Sequence, residues 1–308
     1  MHSLCAEFHM AKAAFEWSDL RYFLAIARSG KLTVAARGLE VEHSTVSRRL
    51  AALEQALGAR LFDREPDGYR LTSAGEKLLP SAEGMEALAL TSQSHLADTD
   101  MTVSGSVRIG APDGFGSFFL APRIGQLTEM HRNLEVQLVA LPRVFSLSKR
   151  EADIAIGLSR PKEKRLHGRK LTDYRLKMYA SPAYLRSRPR IATPADLEGH
   201  RFIGYVDDLL YTPELDYLRL AAKDAKAQLK SSTLVAQLEM ALAGAGICIL
   251  PTFMAKDHPE LTCILPDAIE LTRSFWLVVH SDIRNLARVR IVSDFIAGQV
   301  ERERKLFE

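Results

Sequence analysis

Apolar residues recur at helical spacing in three successive segments near the amino-terminal end of the chain. The first two stripes follow the spacing i, i+3, i+4, i+7 and the third follows i, i+4, i+7, i+11, and each predicts a helix with one apolar face. Their members are Leu20, Phe23, Leu24 and Ala27, then Leu32, Ala35, Ala36 and Leu39, then Val46, Leu50, Leu53 and Leu57. Only residues 40–45 separate the second stripe from the third. Two short helices joined that tightly cross at a steep angle, so the pattern predicts a helix-turn-helix.

The third predicted helix leaves a polar face free of the apolar stripe. That face carries small hydroxyl groups and an arginine with no acid among them, namely Ser44, Thr45, Ser47 and Arg48. Such side chains suit the base edges in the major groove of double-stranded DNA. Two strand candidates, 61–64 and 69–71, then flank a Glu-Pro-Asp-Gly turn and predict a basic hairpin. A hairpin in this position can reach phosphates or the minor groove, so the segment as a whole predicts a DNA-binding domain.

The same segment resembles the amino-terminal domain of the LysR-type transcriptional regulators. The matching residues keep the family's spacing and are Ala35-Ala36, Ser44-Thr45-Val46-Ser47-Arg48-Arg49-Leu50, Leu53-Glu54, Leu57-Gly58, Leu61-Phe62, Arg64 and Leu71-Thr72-Ser73-Ala74-Gly75. The resemblance implies a winged helix-turn-helix. The chain departs from the family at Glu42 and His43, where a small polar residue and a glutamine are usual. This departure bears on operator preference, because His43 stands where a base or phosphate contact is expected.

Seven residues are predicted to contact DNA, namely His43, Ser44, Thr45, Ser47, Arg48, Arg49 and Arg64. We expect Ser44, Ser47 and Arg48 to read base edges or neighbouring phosphates. Arg49 and Arg64 are expected to neutralise phosphates. Overall charge is only a weak indication of DNA binding. The chain has a net charge of +3, and residues 17–72 hold nine Lys or Arg against seven Asp or Glu. Binding is therefore expected to depend on where the arginines lie and on avidity between subunits.

A long helix is predicted over residues 74–97, with Ser73 and Glu76 as a capping box and Thr72 as a rival cap. It carries a heptad seam of mostly small residues, formed by Leu78, Ala82, Met85, Ala89, Ser92 and Leu96. In the family, this linker helix pairs with its copy in a second subunit, often in antiparallel fashion. The resemblance therefore implies a homodimer, with pairs of dimers forming a tetramer on DNA. The alternative is that the seam packs against its own chain.

Beyond a polar hinge at 98–106, strand and helix patterns alternate along the chain. The predicted strands are 107–111, 134–141, 153–158, 171–180, 202–206, 247–250 and 275–280, and the predicted helices are 118–131, 233–245 and 285–306. This alternation predicts an α/β fold with largely parallel sheets. The segments 105–110, 151–157 and 243–251 extend the resemblance to nearly the whole chain from Trp17. It implies an effector-binding domain of two Rossmann-like subdomains, as in periplasmic binding proteins.

The predicted domain limits follow from these patterns and landmarks. They are an extension at 1–16, a winged helix-turn-helix at 17–72, a linker helix at 73–97, a hinge at 98–106 and an effector domain at 107–308. Subdomain I is expected at 107–180 and 279–308, and subdomain II at 181–278. The chain would cross to subdomain II near 180–182 and return near 278–279.

A small-molecule effector is expected between the subdomains, because ligands of open α/β sheets bind outside the carboxyl ends of the strands. The candidate residues follow predicted strands or precede predicted helices, and are Pro112, Asp113, Gly114, Phe115, Pro142, Arg143, Val144, Tyr205, Val206, Asp207, Ser232 and Thr233. Asp113 either caps a helix or selects a cationic or hydroxyl-rich effector. Arg143 either clamps a carboxylate or is merely solvated.

Several functional classes lack support in the sequence. No apolar run approaches the length of a membrane span, and the first 16 residues lack a signal-peptide core. Three cysteines suit a reducing cytoplasm. His2, Cys5 and His9 lack a fourth nearby metal ligand, and no nucleophile elbow, paired carboxylates or phosphate loop predicts an enzyme or a cofactor.

The sequence therefore predicts a cytoplasmic LysR-type regulator that is not an enzyme. Two alternatives remain at this point. One is a ligand-binding or enzymatic α/β protein with a helical extension. The other is a regulator switched by oxidation of Cys248 and Cys263, although their apolar surroundings favour inert thiols.

Overall fold

A computed structural model describes residues 16–97, 103–148, 151–222 and 225–308. The chain forms two compact units, which divide between residues 93 and 94. The predicted amino-terminal extension up to residue 15, with its three candidate metal ligands, lies outside the described residues, as do hinge residues 98–102.

The first unit is a three-helix bundle followed by a hairpin and a long helix. Its elements are α1 (Asp19–Ser29), α2 (Leu32–Gly38), α3 (His43–Leu57), β1 (Phe62–Glu65), β2 (Gly68–Leu71) and α4 (Ser73–Ala97). The predicted helix-turn-helix, wing and long helix are therefore confirmed as elements. The core confirms the apolar stripes, because Phe23, Val46 and Leu53 are completely buried. Leu57 is exposed, because α3 ends there and Gly58 takes a left-handed conformation with φ of 66°.

The wing is fixed to the turn between α1 and α2. The amide of Tyr69 donates a 2.7 Å hydrogen bond to the carbonyl of Gly30. A Cβ atom on Gly68 would lie 2.2 Å from that same carbonyl oxygen, and Gly68 has a φ of 146°. Only glycine allows this approach without strain. The carboxylate of Glu54 also accepts the amides of Leu61 at 2.7 Å and Phe62 at 3.3 Å, which joins the wing to α3.

The first part of the α4 seam packs within its own unit. Ala82 is buried in the winged-helix core, and Leu78 and Met85 pack against that core. Glu86 forms two hydrogen bonds with Arg28 of α1, at 2.6 and 3.1 Å. Beyond this point Leu88 is exposed. The alternative that the seam packs on its own chain is thus confirmed for residues 78–85. The apolar side chains of this part of the helix are covered by the core of the same unit.

The second unit is an α/β structure with a mixed sheet. Its strands are β3 (Gly105–Ala111), β4 (Leu134–Ala140), β5 (Ile154–Gly157), β6 (Leu166–Ala180), β7 (Phe202–Tyr205), β8 (Ala227–Ser231), β9 (Ile247–Pro251), β10 (Thr262–Ile264) and β11 (Leu271–His280). Its α-helices are α5 (Ile124–Met130), α6 (Pro182–Arg186), α7 (Tyr217–Ala221), α8 (Leu234–Leu242), α9 (Thr252–Ala255) and α10 (Ala287–Arg302). In the described residues, the strand order is β4-β3-β5-β11-β6-β9-β7-β8, with β10 also paired to β6.

Two parallel groups of strands form the two subdomains. In the first, β3 pairs in parallel with both β4 and β5, and in the second β7 pairs in parallel with both β8 and β9. The long strands β6 and β11 pair with each other in antiparallel fashion and join the two groups. The expectation of largely parallel sheets is therefore correct within each group but wrong for the connection between them.

The chain changes group inside the long strands. Residues near the start of β6 lie opposite the part of β11 that pairs with β5, whereas residues 176–179 pair with β9. The change of partner thus occurs in the middle of β6, before the predicted crossing at 180–182. Both strands begin earlier than predicted, because their polar amino-terminal halves are held by the β6–β11 ladder rather than by burial of an apolar face.

Several other predicted bounds need correction. The predicted helix at 118–131 is a π-helical segment, Phe115–Leu120, followed by α5, and Pro122 between them lacks the amide needed to continue a helix. Strand β3 includes Gly105 and Ser106 of the predicted hinge, since both pair with β4. Strand β8 was not predicted; its residues alternate between half-buried and exposed and its sequence is polar.

Candidate DNA-binding surface and effector site

The polar face of α3 is open to solvent at its amino-terminal end. His43, the first residue of α3, is exposed, as are Ser44 and Arg48. Thr45 and Ser47 are half-buried. The predicted recognition side chains therefore share one accessible surface, at the end of the helix where free backbone amides also favour phosphate.

A groove separates α3 from the wing. Its walls include two cationic side chains, Lys31 and Arg64, together with His43 and Ser47 of α3. The guanidinium of Arg64 lies 5.7 Å from the ring centre of Tyr69, which restricts its position on the wing. The groove thus brings Arg64 close to the same surface as the α3 residues, as a DNA-binding wing requires.

The two neighbouring arginines of α3 have different surroundings. Arg48 is exposed, and within the described residues it makes no hydrogen bond or ion pair. Arg49 instead lies 3.2 Å from a carboxylate oxygen of Asp19, whose side chain is only 4% exposed. Its guanidinium also lies 6.0 Å from the ring centre of Tyr22. The geometry therefore does not favour the predicted phosphate role for Arg49, because a buried aspartate of α1 already balances its charge.

Acidic groups also border the candidate DNA surface. Glu42 precedes α3, is exposed and makes no capping hydrogen bond with its side chain. On the wing, Glu65 lies 3.6 Å from Arg70, and both are largely exposed. These acids restrict how closely the wing tip and the start of α3 can approach phosphates.

The predicted effector residues do not form one open cleft. Asp113 is only 5% exposed, and one of its carboxylate oxygens accepts the amide of Leu234 at 2.7 Å and that of Val235 at 3.3 Å. It therefore caps α8 of the second subdomain, a helix that begins 121 residues later in the chain. The prediction of a capping role is supported, but the capped helix is not the one that follows Asp113. The side chain of Thr233 caps the same helix by accepting the amide of Ala236 at 3.2 Å.

The carboxylate of Asp113 is shielded from solvent. Burial raises the pKa of Asp113 above its ordinary value of 3.8, although hydrogen bonds from the amides of Val235, Leu234 and Gly114 act in the opposite direction. The neighbouring Gly114 is packed so closely that a Cβ atom would lie 2.8 Å from the sulfur of Met254. This part of the predicted cleft is therefore filled by the protein itself.

A cavity of about 440 Å³ lies beside this contact. Three predicted residues line it, namely Pro112, Arg143 and Val144. Arg143 lies 3.3 Å from a carboxylate oxygen of Glu151, and its guanidinium lies 4.8 Å from the ring centre of Phe145. The cationic clamp proposed for Arg143 is thus already engaged by an acid of the same loop.

A second cavity of about 340 Å³ lies within the second subdomain. Tyr205 and Asp207 line it, together with residues of α7 and β8. Asp207 forms an ion pair of 2.5 Å with Lys230. Burial raises the pKa of Tyr205 well above its ordinary value.

The remaining predicted effector residues line neither cavity. Phe115 is almost completely buried, and its ring centre lies 4.5 Å from that of Phe275 and 5.0 Å from that of Phe119. Its prediction as a ligand contact is not supported, because the side chain points into an aromatic core. Pro142, Val206 and Ser232 are half-buried but lie outside both cavity walls.

Comparison with known proteins decides the family. Residues 17–76 match the bacterial regulatory helix-turn-helix protein model of the lysR family, and residues 102–301 match the LysR substrate binding domain. The chain belongs to the LysR family. It is a LysR-type transcriptional regulator, with an amino-terminal helix-turn-helix and a two-subdomain α/β regulatory domain.

Curated relatives span nearly the same length as this LysR-type regulator. The Mau operon transcriptional activator of Paracoccus denitrificans is 28% identical over 91% of this chain and 95% of its own. The iron-regulated virulence regulatory protein IrgB of Vibrio cholerae is 30% identical over 79% of this chain and 83% of its own. A full-length variant of OxyR from Pseudomonas aeruginosa shares the fold with a TM-score of 0.70 at 19% identity, covering 93% of this chain and 95% of that one.

Residues missed by the sequence analysis complete the larger cavity. They include Phe145 and Leu147 after β4, Tyr211 and Thr212 after β7, and the stretch 158–163 after β5. The rule that ligands bind beyond the carboxyl ends of strands would have found 158–163, because β5 ends at Gly157. Nothing in the local pattern indicates Tyr211, which lies in an irregular segment.

The structure does not favour a disulfide switch in this regulator. Cys248 is completely buried, and burial raises its pKa far above the ordinary value for a thiol. Cys248 and Cys263 lie opposite the same residue of β6, Tyr179, but on two different neighbouring strands. One strand therefore separates them, and two inter-strand spacings of about 4.8 Å exceed the reach of a disulfide.

In the described part of the chain, no helix is long and apolar enough to cross a membrane. Within those same ranges, no group of three or more His, Cys, Asp or Glu side chains could hold a metal ion.

Proposed function

We propose that this LysR-type regulator reads its operator with the amino-terminal half of α3. Ser44, Ser47 and Arg48 would contact base edges or adjacent phosphates in the major groove, and Arg64 would contact phosphate from the wing. Arg48 carries the proposal, because its guanidinium is exposed and without an intramolecular partner in the described residues. An arginine in that state can bind the two acceptors of guanine with little cost from lost internal contacts.

His43 and Thr45 would contribute at the edges of this contact. His43 is exposed at the first turn of α3 and borders the groove that also holds Arg64. It is therefore placed to meet the phosphate or base next to those bound by Ser44. Arg49 would act indirectly, by holding α1 against α3 through Asp19.

The regulator would work as a homo-oligomer under the control of a small effector. Dimers, and pairs of dimers on DNA, would supply the avidity that a weakly basic domain needs. The relatives are transcriptional regulators, which supports a function without catalysis. A cytoplasmic location follows from this proposal, because the operator is there.

In vitro selection of genomic fragments by the full-length chain tests this reading. Wild-type protein is expected to enrich a small set of fragments, and Arg48→Ala is expected to lose that enrichment. Arg190→Ala serves as the control, because it removes an exposed arginine from the other unit. Equal enrichment by wild type and Arg48→Ala would exclude Arg48 as a reader.

A further inference from the structure

The usual anion position at a helix amino terminus is already occupied in this effector domain. The amides of Leu234 and Val235 at the start of α8 both donate to the carboxylate of Asp113. An anionic ligand could reach these donors only by displacing a covalently tethered carboxylate. These two amides are therefore engaged within the protein and are not free donors for a ligand anion.

The 440 Å³ cavity has an apolar floor. Phe145, Leu147, Ala155 and Val278 form a small buried cluster, and all four line the cavity. The Phe145 ring packs closely on β3, where a Cβ atom on Gly110 would lie 2.4 Å from it. We call this cavity the Phe145 pocket. Its volume falls within the range of small-molecule sites, of roughly 300–1,000 Å³.

The rim of the Phe145 pocket carries free positive charge. Its charged side chains are Arg143, Arg160, Lys162 and Glu163. Arg143 is paired with Glu151, and Glu163 lies 3.4 Å from the hydroxyl of Ser148. Arg160 and Lys162 are exposed and, among the residues that the structure describes, neither makes a hydrogen bond or an ion pair. The pocket therefore combines an apolar floor with two unpartnered cations at its mouth.

We propose that the Phe145 pocket binds a small amphipathic anion, with its apolar body against Phe145 and Leu147 and its anionic group at Arg160 and Lys162. This inference rests on the proposed function and deepens it by naming the chemical class and position of the effector. Asp113 acts as the discriminating residue, because it removes the competing anion position at α8. Of the predicted cleft residues, Pro112, Arg143 and Val144 line this pocket.

Three probes that share the same apolar body and differ in the charge of their polar group test the assignment. The probes are 3-phenylpropionate, 3-phenylpropanamide and 3-phenylpropan-1-amine, titrated into the full-length chain and followed by ligand-detected NMR. The carboxylate is expected to bind at least about tenfold more tightly than the amide or the amine, because its contact with the cations is charge-assisted. Acetate, which lacks the apolar body, is expected not to compete.

Two double variants separate the pocket charge from general charge. Arg160→Gln/Lys162→Gln removes the rim cations and is expected to bring the carboxylate down to the affinity of the amide. Arg186→Gln/Arg190→Gln removes two exposed cations elsewhere in the same unit and is expected to change nothing. All four side chains are exposed, so folding should be retained, and circular dichroism checks this.

The inference is overturned if the amide or the amine binds as tightly as the carboxylate. It also fails if the preference for the carboxylate survives in the rim variant, or if none of the three probes binds. The titration contains no DNA, so its outcome is independent of the operator assay. A chain that selects genomic fragments but ignores the carboxylate would contradict only this inference, whereas the reverse result would contradict the proposed function.

Discussion

The two candidate binding surfaces differ in how far their side chains are already engaged within the protein. On the winged helix-turn-helix, Arg48 is exposed and has no partner in the described residues. In the effector domain, Asp113 is bound to the start of α8 and Arg143 is bound to Glu151. The first surface is therefore ready for a partner, whereas the second is largely satisfied by contacts of its own.

This difference indicates two kinds of recognition. A preformed surface with free donors suits a rigid polyanion such as DNA, whose grooves offer fixed acceptors. A domain whose polar groups bind each other can respond to a ligand only where free groups remain or where an internal contact is replaced. The following four predictions test this difference in engagement and the division of the chain into two compact units.

The largest expected effect concerns the separate cores of the two units. Leu53 of α3 and Leu238 of α8 are both completely buried. Leu53→Ala is expected to destabilise its unit by about 2–5 kcal/mol, since it leaves a cavity in a small core. Hydrogen exchange should then accelerate in α3 and not in β6, and Leu238→Ala should give the opposite pattern. Joint loss of protection in both units would contradict this expectation.

The next prediction distinguishes the roles of Arg48 and Arg49, the two neighbouring arginines of α3, in DNA binding and in stability. Arg48→Ala should weaken specific DNA binding by about 1–3 kcal/mol and leave stability nearly unchanged. Arg49→Ala should instead lower the free energy of unfolding by about 1–3 kcal/mol, because Asp19 would stay buried without its partner. Fluorescence anisotropy with a selected operator and urea denaturation measure the two quantities. If Arg49→Ala left stability intact and abolished binding, Arg49 would be the reader instead.

A smaller effect is expected at the contact between Asp113 and α8. Asp113→Ala removes the cap and should cost about 0.5–2 kcal/mol of stability. Asp113→Asn keeps an acceptor oxygen without the buried charge. Because burial raises the pKa of Asp113 above 3.8, protonation of this group favours the folded state.

The direction of the pKa shift of Asp113 determines how this contact changes stability with pH. The stabilising contribution of Asp113 is complete below pH 3.8 and is lost as the pH rises through the folded pKa. Wild type should therefore lose stability relative to Asp113→Asn over that range. Denaturation of both proteins at about pH 4 and about pH 7 checks the sign, and a relative gain by wild type at the higher pH would contradict it.

The smallest effect is expected at the ion pair between Arg123 and Glu303. The two side chains form bonds of 2.5 and 2.7 Å, and the hydrogen bond from Arg123 lowers the pKa of Glu303 below its ordinary value of 4.5. The contribution is therefore present above pH 4.5 and is lost as the pH falls through the folded pKa. Glu303→Gln should cost less than about 1 kcal/mol at neutral pH, because the pair is partly solvated and the hydrogen bond from Arg123 to the carbonyl of Phe119 remains. The difference from wild type should shrink in acid, and a difference that grows there would exclude this origin.

The winged helix-turn-helix could be predicted from the sequence because its information is local. The predicted DNA contacts fall between His43 and Arg64, and the stripes that bury Val46 and Leu53 also fix which face stays outside. The state of Arg49 could not be predicted in this way. It depends on Asp19, which lies 30 residues away in the chain and is brought close only by the packing of α1 on α3.

The effector domain shows the opposite relation between sequence and site. Its strands β3, β4, β5, β7 and β9 coincide with apolar runs in the sequence, and their bounds were predicted to within a few residues. The contact of Asp113 with Leu234 joins segments 121 residues apart, so no local pattern indicates it. Strand β8 and the first five residues of β6, 166–170, were missed for a related reason, because their backbone pairing, and not their apolar content, places them in the sheet.

The central claim is that the amino-terminal half of α3 reads the operator. The most direct test is a genome-wide binding map of the wild-type chain beside Ser47→Ala/Arg48→Ala, with both proteins at equal abundance. We predict sharp peaks for the wild type that are lost in the double variant. Peaks that remain unchanged in the double variant would contradict the claim.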